Sequence, residues 1–312
     1  QLGRQLTGAK LSAADLTGKV VVVDFWGVNC PPCLAAMPGT AALNAELADF
    51  GLVVIGSHVQ SATPDQIKAV AASRGANFPI TEQTRVANGN DFDGIPHLMV
   101  FDHTGACVFR GDPKGAEHAA RLAVGGMLVA NAKRDKFGAT VAPIAEELKK
   151  GRTPAAVLPR LAGLTNGTTD AATDAKALLA ALTAGGQKRL DDAKAIADGD
   201  PVGAFAMLEK VPSAYKGTPV AKSATEVLAK LKKDKAVSAE LAARPSLELV
   251  KQAATALAAK PGADKAGSAE FQKAHAAVLT QMRAKVAAMK KSWPDARATA
   301  EAAELTERFA AQ

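Results

Sequence analysis

Two cysteines separated by two residues can open and close a disulfide, and Cys30-Pro31-Pro32-Cys33 is such a pair. It falls between an apolar β-branched run, Val20 to Phe25, and a proline-marked segment with helical spacing. Cys30 is therefore expected at a helix N-terminus, where the positive end of the helix dipole favours thiolate over thiol. Cys33 lies about one turn further along, near enough to close a small ring. Pro31 and Pro32 carry no N–H, which leaves the Cys33 amide as the nearest main-chain donor to the Cys30 sulfur. The same spacing also occurs in metal sites. A four-thiolate zinc site needs a second pair, and this chain has only 3 cysteines. Haem attachment would place a histidine after the second cysteine, and Leu34 stands there. Neither a metal nor a bound cofactor is expected, because the dithiol carries the electrons itself.

The elements that must position this pair alternate between strand and helix. Leu52 to Ile55 is a second apolar strand, and Thr63-Pro64-Asp65 opens a helix through about Arg74. Phe78 to Thr81 is a short third strand. His97 to Asp102 and Ala106 to Arg110 flank His103-Thr104-Gly105 as a hairpin, with a helix from about Lys114. This order predicts an α/β domain, a mixed central sheet flanked by helices, over residues 1–125.

Residues 126–312 are different in kind. They hold 29 Lys+Arg against 20 Asp+Glu, whereas residues 1–125 hold 9 against 11, so the formal +7 belongs to the second part. Alanine rises from 20 of 125 residues to 49 of 187. The pattern is helical throughout, with Thr153-Pro154, Asp200-Pro201, Thr218-Pro219 and Trp293-Pro294 as punctuation. Val220, Ala224, Val227, Leu228 and Leu231 form one inward stripe, and Phe271, Val278, Met282, Val286 and Met289 another. Segments 188–235 and 270–312 suggest degenerate helical-hairpin repeats. The lysine runs, such as Lys230 to Lys235, read as solvated helix faces. Without a reading motif or interleaved aromatics, nucleic acid is not an expected partner. An acidic membrane surface or a partner protein docked on this helical part could use the same charge.

Val23-Asp24-Phe25-Trp26-Gly27-Val28-Asn29-Cys30-Pro31-Pro32-Cys33 resembles the active-site segment of the thioredoxin superfamily. Leu34 to Pro38 and the stretch Leu11 to Lys19 are more like its extracytoplasmic TlpA/ResA-like thiol-disulfide oxidoreductases. The resemblance implies that Cys30 attacks a disulfide, that Cys33 resolves the mixed disulfide, and that Asp24 moves the Cys33 proton. It implies that Ile95-Pro96 is the family's cis-proline step, with the Ile95 backbone pairing with substrate. Trp26 resembles the family's tryptophan beside the site, where substrate contact and core packing are equal readings. Protein thiols or disulfides are the implied substrates, and a separate redox partner resets the pair. The location implied is the periplasm or cell envelope, and Gln1 in place of an initiating methionine agrees with a leader removed.

Three positions depart from the family pattern. Asn29 replaces the common tryptophan before the first cysteine, Ala36 replaces an acidic residue, and Gly27 stands where peroxiredoxins keep Thr or Ser. The last disfavours a thiol peroxidase. A thioredoxin-fold scaffold working through its helical part is the main rival. Cys107, on an apolar strand, reads as a buried inert thiol. His58 reads as a surface residue, and His275 as a core or boundary one. His97 follows Pro96 directly, and tuning of the thiolate is the lesser of its two readings.

Overall fold

Four valines followed by Asp24, Phe25 and Trp26 make Val20–Trp26 a strand buried on both faces, and the sheet is built around it. The computed structural model describes residues 1–86, 91–258, 260 and 262–310. In chain order the first part comprises β1 (Arg4–Gln5), α1 (Ala13–Leu16), β2 (Val20–Trp26), α2 (Pro31–Leu47), β3 (Leu52–His58) and α3 (Pro64–Ser73). There follow β4 (Ile80–Glu82), β5 (His97–Phe101), β6 (Cys107–Gly111) and α4 (Pro113–Asn131). Among the described residues the strands lie in the order β1-β4-β3-β2-β5-β6. β2, β3 and β4 are parallel, and β1, β5 and β6 run antiparallel to their neighbours. The predicted mixed sheet with flanking helices is therefore present.

Strand alternation divides the sheet into two packed faces. Val21, Val23 and Phe25 join Ile55 and Met99, covered by Leu11 and Leu16 from the N-terminal segment. Val20, Val22, Asp24 and Trp26 point the other way, where α2 packs on β3 and α4 packs on β2, β5 and β6. Arg121 of α4 holds Glu46 of α2 with two hydrogen bonds of 2.7 and 2.8 Å, fixing one helix beside the other.

Two elements went unforeseen and several boundaries moved. β1 and α1 are too short to leave a periodic signal. β3 runs on through Gly56 and Ser57 to His58, past the expected end at Ile55. β4 begins at Ile80 instead of Phe78, because Pro79 has no amide to donate; its carbonyl still accepts from Gly56 N–H at 2.9 Å. The hairpin strands end at Phe101 and Gly111.

Beyond Gly111 every described element is helical. The series continues with α5 (Ala142–Lys149), α6 (Pro154–Gly163), α7 (Asp170–Ile196), α8 (Pro201–Leu208) and α9 (Val211–Ala214). It ends with α10 (Pro219–Leu231), α11 (Lys235–Ala258), α12 (Ala269–Ala274), α13 (Ala276–Ser292) and α14 (Arg297–Glu307). Pro154, Pro201 and Pro219 each open a helix, and Asp200 caps α8 by accepting from Gly203 N–H at 2.8 Å.

The chain forms two compact units, one of residues 1–189 with 211–222 and one of residues 190–210 with 223–312. The change of composition near residue 125 is thus not where the packing divides. In the first unit Gly125 lets α4 approach the end of α5, since a Cβ there would collide with the Leu148 carbonyl. Tyr215, fully buried, donates to the Asp49 carbonyl at 3.0 Å. In the second unit α11 packs against α8, α13 and α14, around Leu247, Val250, Met282 and Met289. Val278 is corrected here: it is exposed, and Leu279 takes the inward place. His275, with φ −118° and ψ 19°, interrupts the helix between α12 and α13 just before this change, and Met282, Val286 and Met289 are buried as expected. Its ring meets Phe271 edge-on at 4.4 Å, at the core boundary as expected.

Candidate active site

At the end of β2 the chain turns through Gly27, Val28 and Asn29, and Cys30 becomes the N-cap of α2. Cys30 and Cys33 are joined as a disulfide. Pro31 and Pro32 occupy the first turn without amides, so Cys33 N–H is the donor that reaches the Cys30 sulfur, at 3.2 Å. A thiolate at Cys30 would keep that donor and gain the dipole of a 17-residue helix. Pro31, Pro32 and Asn29 are exposed, and Cys30 retains 5% exposure at the rim they form. The Ile95–Pro96 peptide is cis, and the Ile95 carbonyl oxygen lies 3.6 Å from the Cys30 sulfur. Two chain segments 65 residues apart thus meet at one sulfur.

Asp24 lies inside, on the face of β2 covered by α2. Its Oδ2 accepts from Thr40 Oγ1 at 3.3 Å. Cys33, Met37 and Thr40 are buried along one stripe of α2, so the resolving cysteine and the carboxyl's partner share a helix face. Burial pushes the Asp24 carboxyl up to about 7, and the Thr40 hydrogen bond only partly opposes this. The group is therefore poised to take or give a proton at neutral pH.

The structure places Trp26 in the core: it is 0% exposed and meets the edge of His58 at 5.1 Å between ring centres. In this arrangement it supports the site from beneath and presents no face to a substrate. Space for its indole depends on Gly56, opposite Asp24 in the sheet. A Cβ at Gly56 would lie 2.7 Å from Ile80 Cδ1 and 3.4 Å from Trp26 Nε1. Gly56→Ala is accordingly expected to lower stability by about 1–3 kcal/mol through overpacking, read from urea unfolding. An unchanged midpoint would mean that Ile80 gives way freely.

His58 is the main correction among the site neighbours. It is 1% exposed, not at the surface, because β3 is longer than expected and turns this residue onto the Trp26 face. Its Nε2 accepts from Val28 N–H at 3.2 Å, and Gln60 Oε1 accepts from Asn29 N–H at 2.8 Å. The turn before Cys30 is thus held from the end of β3, a role that sequence reading did not assign. Recognising that Leu52, Val54, Gly56 and His58 alternate on one face would have brought His58 to Trp26. His97, half-buried, stacks on Phe92 at 4.7 Å, and Phe92 leans on Phe25 at 4.9 Å. Burial and then Arg110 lower the His97 pKa. This stack anchors the chain just before Ile95-Pro96.

Cys107 is also corrected: it is a free, exposed thiol, because its strand is the sheet's outer edge. Cys107→Ser should change neither stability by more than about 0.5 kcal/mol nor disulfide exchange at Cys30. A shift in either, in melting or exchange assays, would make Cys107 part of the site. Among the described residues no group of three or more His, Cys, Asp or Glu is placed to hold a metal ion.

A central mixed sheet, a dithiol capping the helix after β2 and a cis-proline facing it define a thioredoxin-like domain. Residues 3–104 match the AhpC/TSA family. Thioredoxin-like protein YneN of Bacillus subtilis is 31% identical over 105 residues, 33% of this chain and 61% of that protein. Thiol-disulfide oxidoreductase ResA of Halalkalibacterium halodurans is 33% identical over 76 residues, 24% of this chain and 42% of that one. The chain spans about three fifths of YneN and less than half of that ResA. A solved thiol:disulfide interchange protein of Chlorobium tepidum aligns with TM-score 0.36 at 21% identity, over 40% of this chain and 92% of its own. Residues 3–104 are thus similar to the AhpC/TSA family.

Proposed function

We propose that the protein is a thiol-disulfide oxidoreductase working through Cys30 and Cys33. The observation that carries this reading is the Cys30–Cys33 disulfide at the head of α2, with the Cys33 amide and the Ile95 carbonyl both at the Cys30 sulfur. Cys30 thiolate attacks a substrate disulfide, forms a mixed disulfide and expels one substrate thiolate. Cys33 loses its proton to the Asp24 carboxylate and attacks the Cys30 sulfur. The second substrate thiolate then leaves, so two electrons pass to the substrate, the Cys30–Cys33 bond returns, and the two thiolates take their protons from protonated Asp24 and from water. The reverse sequence oxidises a dithiol, and the relative potentials set the direction.

The substrates proposed are protein thiols and disulfides. An extended segment would pair with the backbone at Ile95, beside Pro96. A separate thiol partner resets the pair. The site of action proposed is outside the cytoplasm, in the periplasm or cell envelope, a reading supported by the ResA-like relatives. Among the described residues no helix is long and apolar enough to cross a membrane. The helical second part, residues 126–312, is proposed as a docking domain for partner proteins.

The match to the AhpC/TSA family gives a thiol peroxidase reading some footing, and a direct comparison separates the two. Catalysed reduction of insulin disulfides by dithiothreitol should be accelerated by the protein and lost in Cys30→Ser. Hydrogen peroxide consumption that survives in Cys33→Ser with an external thiol, without insulin reduction, would favour the peroxidase.

A further inference from the structure

The turn that delivers Cys30 receives its side-chain support from one strand end. His58 Nε2 accepts from Val28 N–H at 3.2 Å and Gln60 Oε1 from Asn29 N–H at 2.8 Å. Val59 N–H returns to the Trp26 carbonyl at 3.0 Å, and Cys30 N–H closes the turn on the Gly27 carbonyl at 3.3 Å. Two consecutive amides ahead of Cys30 are therefore drawn toward β3 and away from its sulfur. An amide donating to Nε2 requires the lone pair there, so the proton of the neutral ring is on Nδ1.

Resting on the oxidoreductase reading, we infer that His58 is a positioning residue for the redox pair, its neutral imidazole holding the Val28 amide so that the Cys30 sulfur faces Cys33 N–H. The ring cannot drift, because it is 1% exposed and wedged against the Trp26 indole. Protonation would put a hydrogen on Nε2 facing the Val28 N–H, two donors opposed, and the turn would have to move. The charged groups facing the ring are few. Glu82 of β4, opposite His58 in the register and paired with Arg4 at 2.5 Å, favours the charged ring. Asp24, on the same face of β2 two residues before Trp26, is neutral or ionised according to pH around its raised value. Burial outweighs Glu82 and keeps the His58 pKa below the ordinary histidine value. The support is thus intact at neutral pH and is released in acid.

The test measures iodoacetamide alkylation of Cys30 in reduced protein between pH 4 and 9, in a Cys107→Ser background. His58→Gln keeps a neutral acceptor at every pH, and His58→Leu removes it. With His58→Leu the alkylation midpoint should rise by about one pH unit, and insulin reduction should fall roughly tenfold. His58→Gln should restore both. Where His58→Leu does not fold, Trp26 fluorescence in Trp293→Phe reports the release directly. It should change on acidification past neutral pH with His58 and not with His58→Gln. Superimposed alkylation profiles for all three proteins would overturn the inference while leaving the oxidoreductase reading intact. So would a Gln variant as impaired as Leu, since the ring's bulk would then be what matters. Wild-type protein that alkylates normally but fails to reduce insulin would sink the functional reading alone.

Discussion

Cys30→Ser is expected to abolish disulfide exchange, a loss of at least about 10³-fold, whereas Cys33→Ser should trap substrate. The asymmetry follows from the two positions on α2. Cys30 caps the helix at the exposed rim, with the Cys33 amide and the dipole stabilising its thiolate. Cys33 is one turn further in, 3% exposed, and is bonded to the Cys30 sulfur. Removing Cys33 leaves the attack intact and deletes the escape. Cys33→Ser mixed with a disulfide-bonded protein should therefore accumulate a mixed disulfide through Cys30, visible as a mass adduct that dithiothreitol releases. Equal trapping by Cys30→Ser would exchange the roles of the two cysteines.

Asp24→Asn should slow the reaction and stabilise the protein at once. The carboxyl is pushed up to about 7 by burial, against 3.8 for a free aspartate. Between those values the native state binds the proton and the unfolded chain does not, so stability falls as pH rises from about 4 to 7. Above pH 7 the ionised, desolvated carboxylate costs on the order of 4 kcal/mol, an upper bound given the depth of burial. Asparagine removes that charge. The melting temperature of Asp24→Asn should exceed wild type at pH 8, with the difference shrinking toward pH 4. Resolution by Cys33 loses its base, and single-turnover release of the trapped substrate should slow by roughly 10²-fold at pH 7. The deficit should narrow as pH rises, because hydroxide then takes the Cys33 proton in place of Asp24. A variant that is stabilised but resolves normally would leave Asp24 as a buried acid without a catalytic part.

What sequence could and could not show follows from the range of the forces involved. β2, α2, the Cys30–Cys33 pair and its Cys33 amide donor were readable because they depend on neighbours in the chain: a valine run, two prolines, two cysteines three positions apart. The hairpin of β5 and β6 and the proline-led helix starts were local in the same sense. His58 was not, since its burial depends on a strand continuing through a glycine and on the indole of another strand. Cys107 failed for the converse reason. An apolar strand pattern does not say whether the strand is central or at an edge, and only sheet order placed it outside. Val278 shows the limit of periodicity, because the non-helical residue His275 breaks the helix just before it and Leu279 turns inward in its place, while Met282, Val286 and Met289 stay buried. Trp26 was open between two readings, and burial places it among the residues that hold the site from below.

The most direct test is the redox equilibrium of Cys30 and Cys33 against glutathione buffers of known ratio, quenched by alkylation and read by mass spectrometry. Oxidoreductase action predicts a reversible two-electron transition, with about 30 mV for each tenfold change in the equilibrium constant. That transition should require Cys33, ignore Cys107→Ser, and return on the reverse titration. Its midpoint distinguishes a reductant from an oxidant. A pair locked in one state across every buffer would contradict a working dithiol and leave a thioredoxin-like scaffold in its place.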